Sequence, residues 1–328
     1  MKKILVTGGA GFVGSHLVDK LVKEIYKVTV IDNLSSGNIK NLSKSFKKID
    51  FIKVDISNYK KLVQKLKNKK FNYCVHLAAL ADIVPSINNP EDYFNSNVVG
   101  TFNILNLLKK QKISKIIYSA SSSCYGFPKK FPTDESSSIN PQYPYALTKR
   151  MGEELVEHWG QIYKIPFISL RFFNIYGPRS RTSGTYGAVL GVFLAQKIAK
   201  KPFTVVGNGK QTRDFTYVED IVDVICSSLK SKVKNQIFNV GSGKTYSINY
   251  LTKLIGGKKI YIPKRPGEPD CTFADISKIK KILKWRPKFT LEKGISEVIN
   301  NISYWKDAPL WNPKSIKSAT KDWFKYLS

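Results

Sequence analysis

Arginine is nearly missing from a chain that is otherwise strongly basic. Lys and Arg together number 54 against 24 Asp and Glu, yet only seven are arginine, at positions 150, 171, 179, 181, 213, 265 and 286. A formal net charge of +30 would ordinarily suggest nucleic acid as a partner. Arginine is the forked donor that suits phosphates and base edges, whereas dispersed lysines fit a solvated surface that steers an anionic small molecule. No nucleic-acid partner is expected, and the place of each arginine becomes informative.

Other scarcities narrow the field further. The four cysteines, Cys74, Cys124, Cys226 and Cys271, match neither a CxxC pair nor a disulfide framework, so free thiols are expected. The three histidines, His16, His76 and His158, are too scattered for zinc spacings, which argues against a metal site. No stretch approaches the roughly 18 apolar residues of a membrane span. The start, MKKILVTGGAG, runs directly into a strand and turn instead of a secretory core, which points to a cytoplasmic protein. There is no internal repeat or low-complexity linker.

What the 328 residues do hold, with 42% hydrophobic composition, is enough to bury a sizeable core. Strand-like runs recur at KKILVTG, KVTVID, IDFIKVD, FNYCVHLAA, ISKIIYSAS, IPFISLRFF and NQIFNVGSG. Helical patterns lie between them, as in DYFNSNVVGTFNILNLLKK, where Phe94, Val98, Phe102 and Leu105 fall at helical spacing. This alternation predicts an α/β protein with a doubly wound parallel sheet of the Rossmann type. The predicted division is a dinucleotide-binding domain over 1–174, with 212–241 returning to it, and a smaller C-terminal lobe over 175–211 and 242–328. The lobe covers the carboxyl ends of the strands, where open α/β sheets bind ligands. The tail with Trp305, Trp311 and Trp323 reads as packing for that lobe.

Two constellations carry chemistry. Gly8, Gly11 and Gly14 stand between a strand and a helix, letting backbone approach a pyrophosphate at the helix N-terminus. Asp32 closes the second strand and can accept hydrogen bonds from ribose hydroxyls. The residues after it, Asn33-Leu34-Ser35-Ser36, offer no cation for a 2′-phosphate, which favours NAD over NADP. Asp55 is a candidate for the adenine amino group. The second constellation is Tyr145-Ala-Leu-Thr-Lys149, opening a helix downstream of the hydroxyl cluster Ser121-Ser122-Ser123. Positions i and i+4 share a helix face. The Lys149 ammonium, together with a cationic nicotinamide, is therefore expected to lower the Tyr145 phenol from about 10 toward the range of a general base, with Ser121 relaying or orienting the proton.

Together the stretches GGAGFVGSHL, HLAALADIVPSINNP, NVVGTFNIL, SASSSCYG, YPYALTK, LRFFNIYGPR, QTRDFTYVEDIV, NVGSG and KRPGEPD resemble the extended short-chain dehydrogenase/reductase superfamily. The resemblance is to its nucleotide-sugar epimerases and dehydratases, over nearly the full length. It implies a tightly bound, recycled NAD in a pocket lined by Gly8, Gly11, Phe12, Val13, Gly14, Asp32, Asn33, Asp55, Ile56, Leu77, Ala78, Ala79, Asn97, Ser119, Tyr145, Lys149 and Phe172. Asn174, Arg213 and Arg265 would hold the diphosphate of a nucleotide sugar, with UDP as the family's usual nucleotide. Homodimers are common in the family, and helices near 90–110 and 144–163 could supply the contact.

The resemblance also bears on the reaction. The 4,6-dehydratases of this family carry an Asp-Glu pair after the catalytic hydroxyl, and the decarboxylases a Glu; here Ser122 and Ser123 stand there, so elimination is disfavoured. Reversible hydride transfer at carbon 4 remains, which implies a 4-epimerase. Cys124 directly precedes Tyr125, so strand alternation points it away from the site, as a buried hydrophobe. Thr272 matches a position that gates the sugar's 2-substituent, and a threonine leaves room for an N-acetyl group. With SGTYGAV and Tyr186, this favours UDP-GlcNAc/UDP-GalNAc, with UDP-Glc/UDP-Gal possible. Arg181 falls where uronate 4-epimerases hold the substrate carboxylate, which keeps UDP-glucuronate as an alternative. A net oxidoreductase, such as a 4-keto reductase, is the alternative of another class; the reductases more often prefer NADP, against which Asp32 argues.

Overall fold

The computed structural model describes residues 1–180 and 189–327. The strands, in chain order, are β1 (Lys3–Thr7), β2 (Lys27–Asp32), β3 (Asp50–Lys53), β4 (Tyr73–His76), β5 (Lys115–Ser121), β6 (Phe167–Phe172), β7 (Asn174–Tyr176), β8 (Phe203–Val206), β9 (Thr212–Arg213), β10 (Phe215–Tyr217), β11 (Gln236–Val240), β12 (Tyr246–Ser247) and β13 (Lys259–Ile262). The helices are α1 (Phe12–Lys23), α2 (Tyr59–Leu66), α3 (Ile83–Asn88), α4 (Pro90–Phe94), α5 (Gly100–Leu108), α6 (Pro144–Ile162), α7 (Val189–Ile198), α8 (Val218–Lys230), α9 (Ile248–Ile255), α10 (Ser277–Ile282), α11 (Leu291–Asn300), α12 (Pro313–Ala319) and α13 (Lys321–Leu327).

Seven strands form one parallel sheet in the order β11-β6-β5-β4-β1-β2-β3. This is the expected α/β Rossmann-type architecture. The order reverses between β1 and β4, so their carboxyl ends open a crevice at the switch point. Strand alternation divides the core between the two faces of the sheet. Ile4, Val6, Val28 and Ile117 pack with Leu17 and Leu21 of α1 and Ile221 and Ile225 of α8. Leu5, Ile31, Cys74 and Ile116 pack with Leu62 of α2, Ile104 of α5 and Val156 of α6.

A further apolar cluster joins Phe193 of α7, Phe203 of β8, Leu251 of α9, Ile295 of α11, Trp305 and Trp323. Around it lie three two-stranded pairs, β7 with β10, β9 with β12 and β8 with β13. All four cysteines are free, and Cys271 alone among them is partly exposed. Among the described residues no helix is long and apolar enough to cross a membrane.

Candidate active site

The turn after β1 is shaped by what its glycines allow. Gly8 has φ of +69°, and a β-carbon there would lie 2.7 Å from the Ala78 amide nitrogen. A side chain at Gly14 would collide with the Gly8 carbonyl. Gly11 caps α1 without any side-chain hydrogen bond, which leaves the first-turn amides facing the crevice, as an anion site requires. Asp32 is buried and accepts from the Ala10 amide at 2.9 Å and the Leu34 amide at 2.8 Å. Its carboxylate therefore holds the glycine turn against β2 while facing the crevice. Burial pushes its pKa up and the two amides oppose that. β3 ends at Lys53, so Asp55 sits beyond the strand. There it accepts from Asn33 Nδ2 at 2.7 Å and from the amide and hydroxyl of Ser57.

The hydroxyl cluster follows from a change of backbone. β5 ends at Ser121, and Ser122–Tyr125 turn as a 3-10 helix. Ser121 Oγ caps that turn by accepting from the Ser123 amide at 3.2 Å, and it also accepts from the Tyr145 phenol at 3.2 Å. With both acceptor positions filled, its own proton is left for a ligand oxygen. Pro144 at the first helical position starts α6, so Tyr145 enters on the first turn and Lys149 follows one turn later. Cys124 is buried, as expected, but through the turn and not through strand alternation.

Burial dominates the electrostatics of the Tyr145–Lys149 pair. Burial pushes the Tyr145 phenol up, the Ser121 hydrogen bond pulls it down, and the Asp82 carboxylate adds to the rise. Lys149 is itself buried, and its Nζ sits 4.5 Å from the Tyr118 ring centroid. Desolvation lowers its pKa to about 7, with Glu153 one turn further on opposing that shift. The lysine thus meets its own desolvation cost, and the protein's own groups leave the phenol raised; the expected lowering includes the charge of a bound nicotinamide.

A single cavity of about 610 Å³ brings the expected residues together. Its wall includes Gly8, Gly11, Phe12, Val13, Gly14, Asp32, Asn33, Asp55, Ile56, Leu77, Ala78, Ala79, Ser119, Lys149 and Phe172. It also includes Ser121, Ser122, Ser123, Tyr145, Asn174, Arg213, Arg265 and Thr272. Arg181 and Tyr186 lie outside the described residues.

Asn97 departs from expectation: it is 1% exposed and does not line the cavity. Its amide pairs with the backbone of Leu80 at 2.8 and 3.0 Å and with Thr148 Oγ1 at 3.1 Å. It therefore shapes the wall from behind, from a π-helical turn over Asn95–Val99.

At the other end of the cavity, Glu268 accepts from Arg213 Nη2 at 3.0 Å and stands 3.7 Å from Arg265 Nη1. Thr272 Oγ1 donates to Asn174 Oδ1 at 2.8 Å, so the two polar groups face the space as one unit. Among the lining residues not expected at the site from the sequence are Tyr143, Glu268 and Trp323. Trp323 does pack as expected of the tail, but it also borders the cavity. The legible signals were Glu268, an acid within RPGEPD, and Tyr143, the first residue of YPYALTK.

A glycine turn at the sheet's switch point, opposite a Tyr–Lys pair and a strand-end serine, defines an α/β dinucleotide-binding protein with acid–base machinery. The family model described as GDP-mannose 4,6 dehydratase matches residues 5–298, and the chain belongs to that family, within the extended short-chain dehydrogenases/reductases. Among solved structures it is similar to UDP-glucose 4-epimerase from Thermotoga maritima with UDP-glucose, at 32% identity and TM-score 0.86, covering 93% of this chain and 99% of that one. It is similar also to UDP-N-acetylglucosamine 4-epimerase from Methanobrevibacter ruminantium in complex with UDP-N-acetylmuramic acid (32%, TM-score 0.83, 92% and 99%). The UDP-glucuronic acid 4-epimerase from Bacillus cereus, in complex with UDP-glucuronic acid and NAD, matches at 32%, TM-score 0.82, 92% and 99%.

Proposed function

We propose that this chain is an NAD-dependent UDP-sugar 4-epimerase acting through a transient 4-keto sugar. The observation that carries the reading is the strand end: Tyr145 bonds Ser121 at 3.2 Å, and the next two side chains lining the cavity are Ser122 and Ser123. Neither is an acid or base near neutral pH, so neither is suited to remove a proton from carbon 5. The family's dehydratase chemistry lacks its residues here.

The cavity fits a dinucleotide, because the uncapped α1 amides suit a pyrophosphate and the Asp32 carboxylate suits ribose hydroxyls and disfavours a 2′-phosphate. NAD, when bound, supplies the acceptor and donor of hydride. Tyr145 in its phenolate form, which the positive charge of a bound nicotinamide would favour, takes the proton of the sugar 4-hydroxyl and later returns it, while Ser121 donates to the same oxygen and keeps it oriented. Lys149 supplies positive charge behind the tyrosine, and Glu153 favours its protonated form. Arg213 and Arg265, the arginines gathered on Glu268, are the groups suited to a diphosphate. Rotation of the keto sugar between removal and return of hydrogen inverts carbon 4 and leaves no net redox change.

For the sugar, we favour UDP-GlcNAc/UDP-GalNAc, with UDP-Glc/UDP-Gal also accepted. The compact Thr272–Asn174 pair, where a larger side chain would fill space, supports room for a 2-acetamido group. Product analysis by proton NMR, with UDP-GlcNAc, UDP-Glc and UDP-GlcA in separate incubations, tests this. Conversion of UDP-GlcNAc to its 4-epimer is expected; conversion of UDP-GlcA alone would replace the N-acetylhexosamine reading with the uronate one.

We propose further that the protein is a homodimer. α4 and α5 pack against α6 and leave Phe94, Phe102, Leu147 and Ile162 between 42 and 58% exposed, an apolar surface suited to a second copy.

A further inference from the structure

Trp323 lies on α13, remote in sequence from every other residue of the cavity, yet it is 2% exposed and borders the same space as Ser121 and Tyr145. Its indole Nε1 donates to the Pro266 carbonyl at 2.6 Å, and the Arg265 guanidinium carbon is 5.6 Å from its ring centroid. The Tyr143 ring stands 6.4 Å from the indole at 44°. Tyr143 in turn lies 6.4 Å from Tyr145 with the two rings within 6° of parallel. The Tyr143 phenol is hydrogen-bonded to Ser123, and burial pushes it up to about 12, so it stays a neutral phenol. α13 also packs on α3, which begins directly after Asp82. A continuous row of rings therefore runs from the diphosphate-type arginine to the acid–base tyrosine, and its far end is held by the C-terminal helix.

We propose that Trp323 is a substrate-positioning residue. Its indole backs the Arg265 guanidinium and, with Tyr143, forms the aromatic wall that holds the sugar ring against Tyr145. This rests on the reading of the cavity as a UDP-sugar site. The physical reasons are two. A cation stacked on an indole is attracted to its face, most strongly when desolvated, so Arg265 is held ready for an anion. A flat apolar wall also presents itself to the C–H face of a sugar ring while costing little conformational entropy.

The test compares Trp323→Ala and Trp323→Phe with wild type in three measurements: UDP affinity by calorimetry, kcat and KM for epimerisation, and NAD affinity. Trp323→Ala is expected to weaken UDP binding by about tenfold and to lower kcat as well, with NAD affinity unchanged; Trp323→Phe, which keeps a ring, should recover most of both. Should the alanine variant fail to fold, Trp323→Leu, with bulk but no π face, carries the same expectation. Unchanged UDP affinity and kcat, with only a lower Tm, would overturn the proposal and leave Trp323 as packing. If wild type binds UDP but epimerises no UDP-sugar tested, the UDP measurement still decides the arginine-backing role while the epimerase reading fails separately; no binding of UDP by wild type overturns both.

Discussion

Lys149 is the residue whose charge the cavity controls most directly. Folded, it gives up its proton near pH 7, whereas an unfolded lysine does so near 10.4. Between those values the unfolded chain binds more protons, so this residue makes stability rise with pH across that window. Lys115, lowered to about 8 by its own burial, contributes in the same direction but cancels when two variants are compared. Lys149→Met should therefore lose stability relative to wild type as pH rises from 7 to 10, by up to about 1.4 kcal/mol per pH unit, in chemical denaturation of the NAD-free protein. A difference that stays flat across that range would show that Lys149 does not titrate there. Thr272 sets a second residue-level expectation. Thr272→Tyr should remove conversion of UDP-GlcNAc by at least about tenfold while sparing UDP-Glc, because a bulky ring fills the space beside carbon 2; equal losses on both sugars would mean the position does not gate that substituent.

At the level of elements, the β1 turn and α1 make a sharp prediction. A methyl group at Gly14 has no room against the Gly8 carbonyl, so Gly14→Ala must push α1 off the turn. NAD affinity, read by calorimetry, should drop by about tenfold or more, and unchanged affinity would contradict the role of the turn. This turn was fully legible in the sequence because glycine spacing is a direct record of backbone constraint. The Tyr145–Lys149 helix was legible for the same kind of local reason, a proline start followed by one turn. Where the sequence reading failed, distance or a shift of helical phase was responsible. Phe94 and Phe102 share a helical spacing with Val98 and Leu105, yet the first two are 44 and 42% exposed and the others buried. The π turn at Asn95–Val99 widens the helix there and breaks the simple count. Asn97 sits on that same turn, which carries its side chain behind the wall. Trp323 meets Pro266 across 57 positions, a contact that no local pattern encodes.

On the scale of the whole molecule, the exposed apolar strip on α4, α5 and α6 predicts a dimer in solution, observable by light scattering. Leu147→Glu should shift the protein to monomer, since a charge in an apolar interface costs several kcal/mol unless paired; an unaltered dimer would place the contact elsewhere. The lysine-rich surface, with its seven arginines of which Arg213 and Arg265 face the cavity, suits attraction of an anionic substrate over a broad approach. The account as a whole turns on hydrogen leaving carbon 4 and returning to the same carbon with no proton removed from carbon 5. The most direct measurement is proton NMR of UDP-GlcNAc incubated with the purified protein in deuterium oxide. The account predicts a mixture with the 4-epimer that keeps protium at both carbon 4 and carbon 5. Deuterium at carbon 5, or a 4-keto-6-deoxy product, would contradict it and place the protein with the dehydratases of its family.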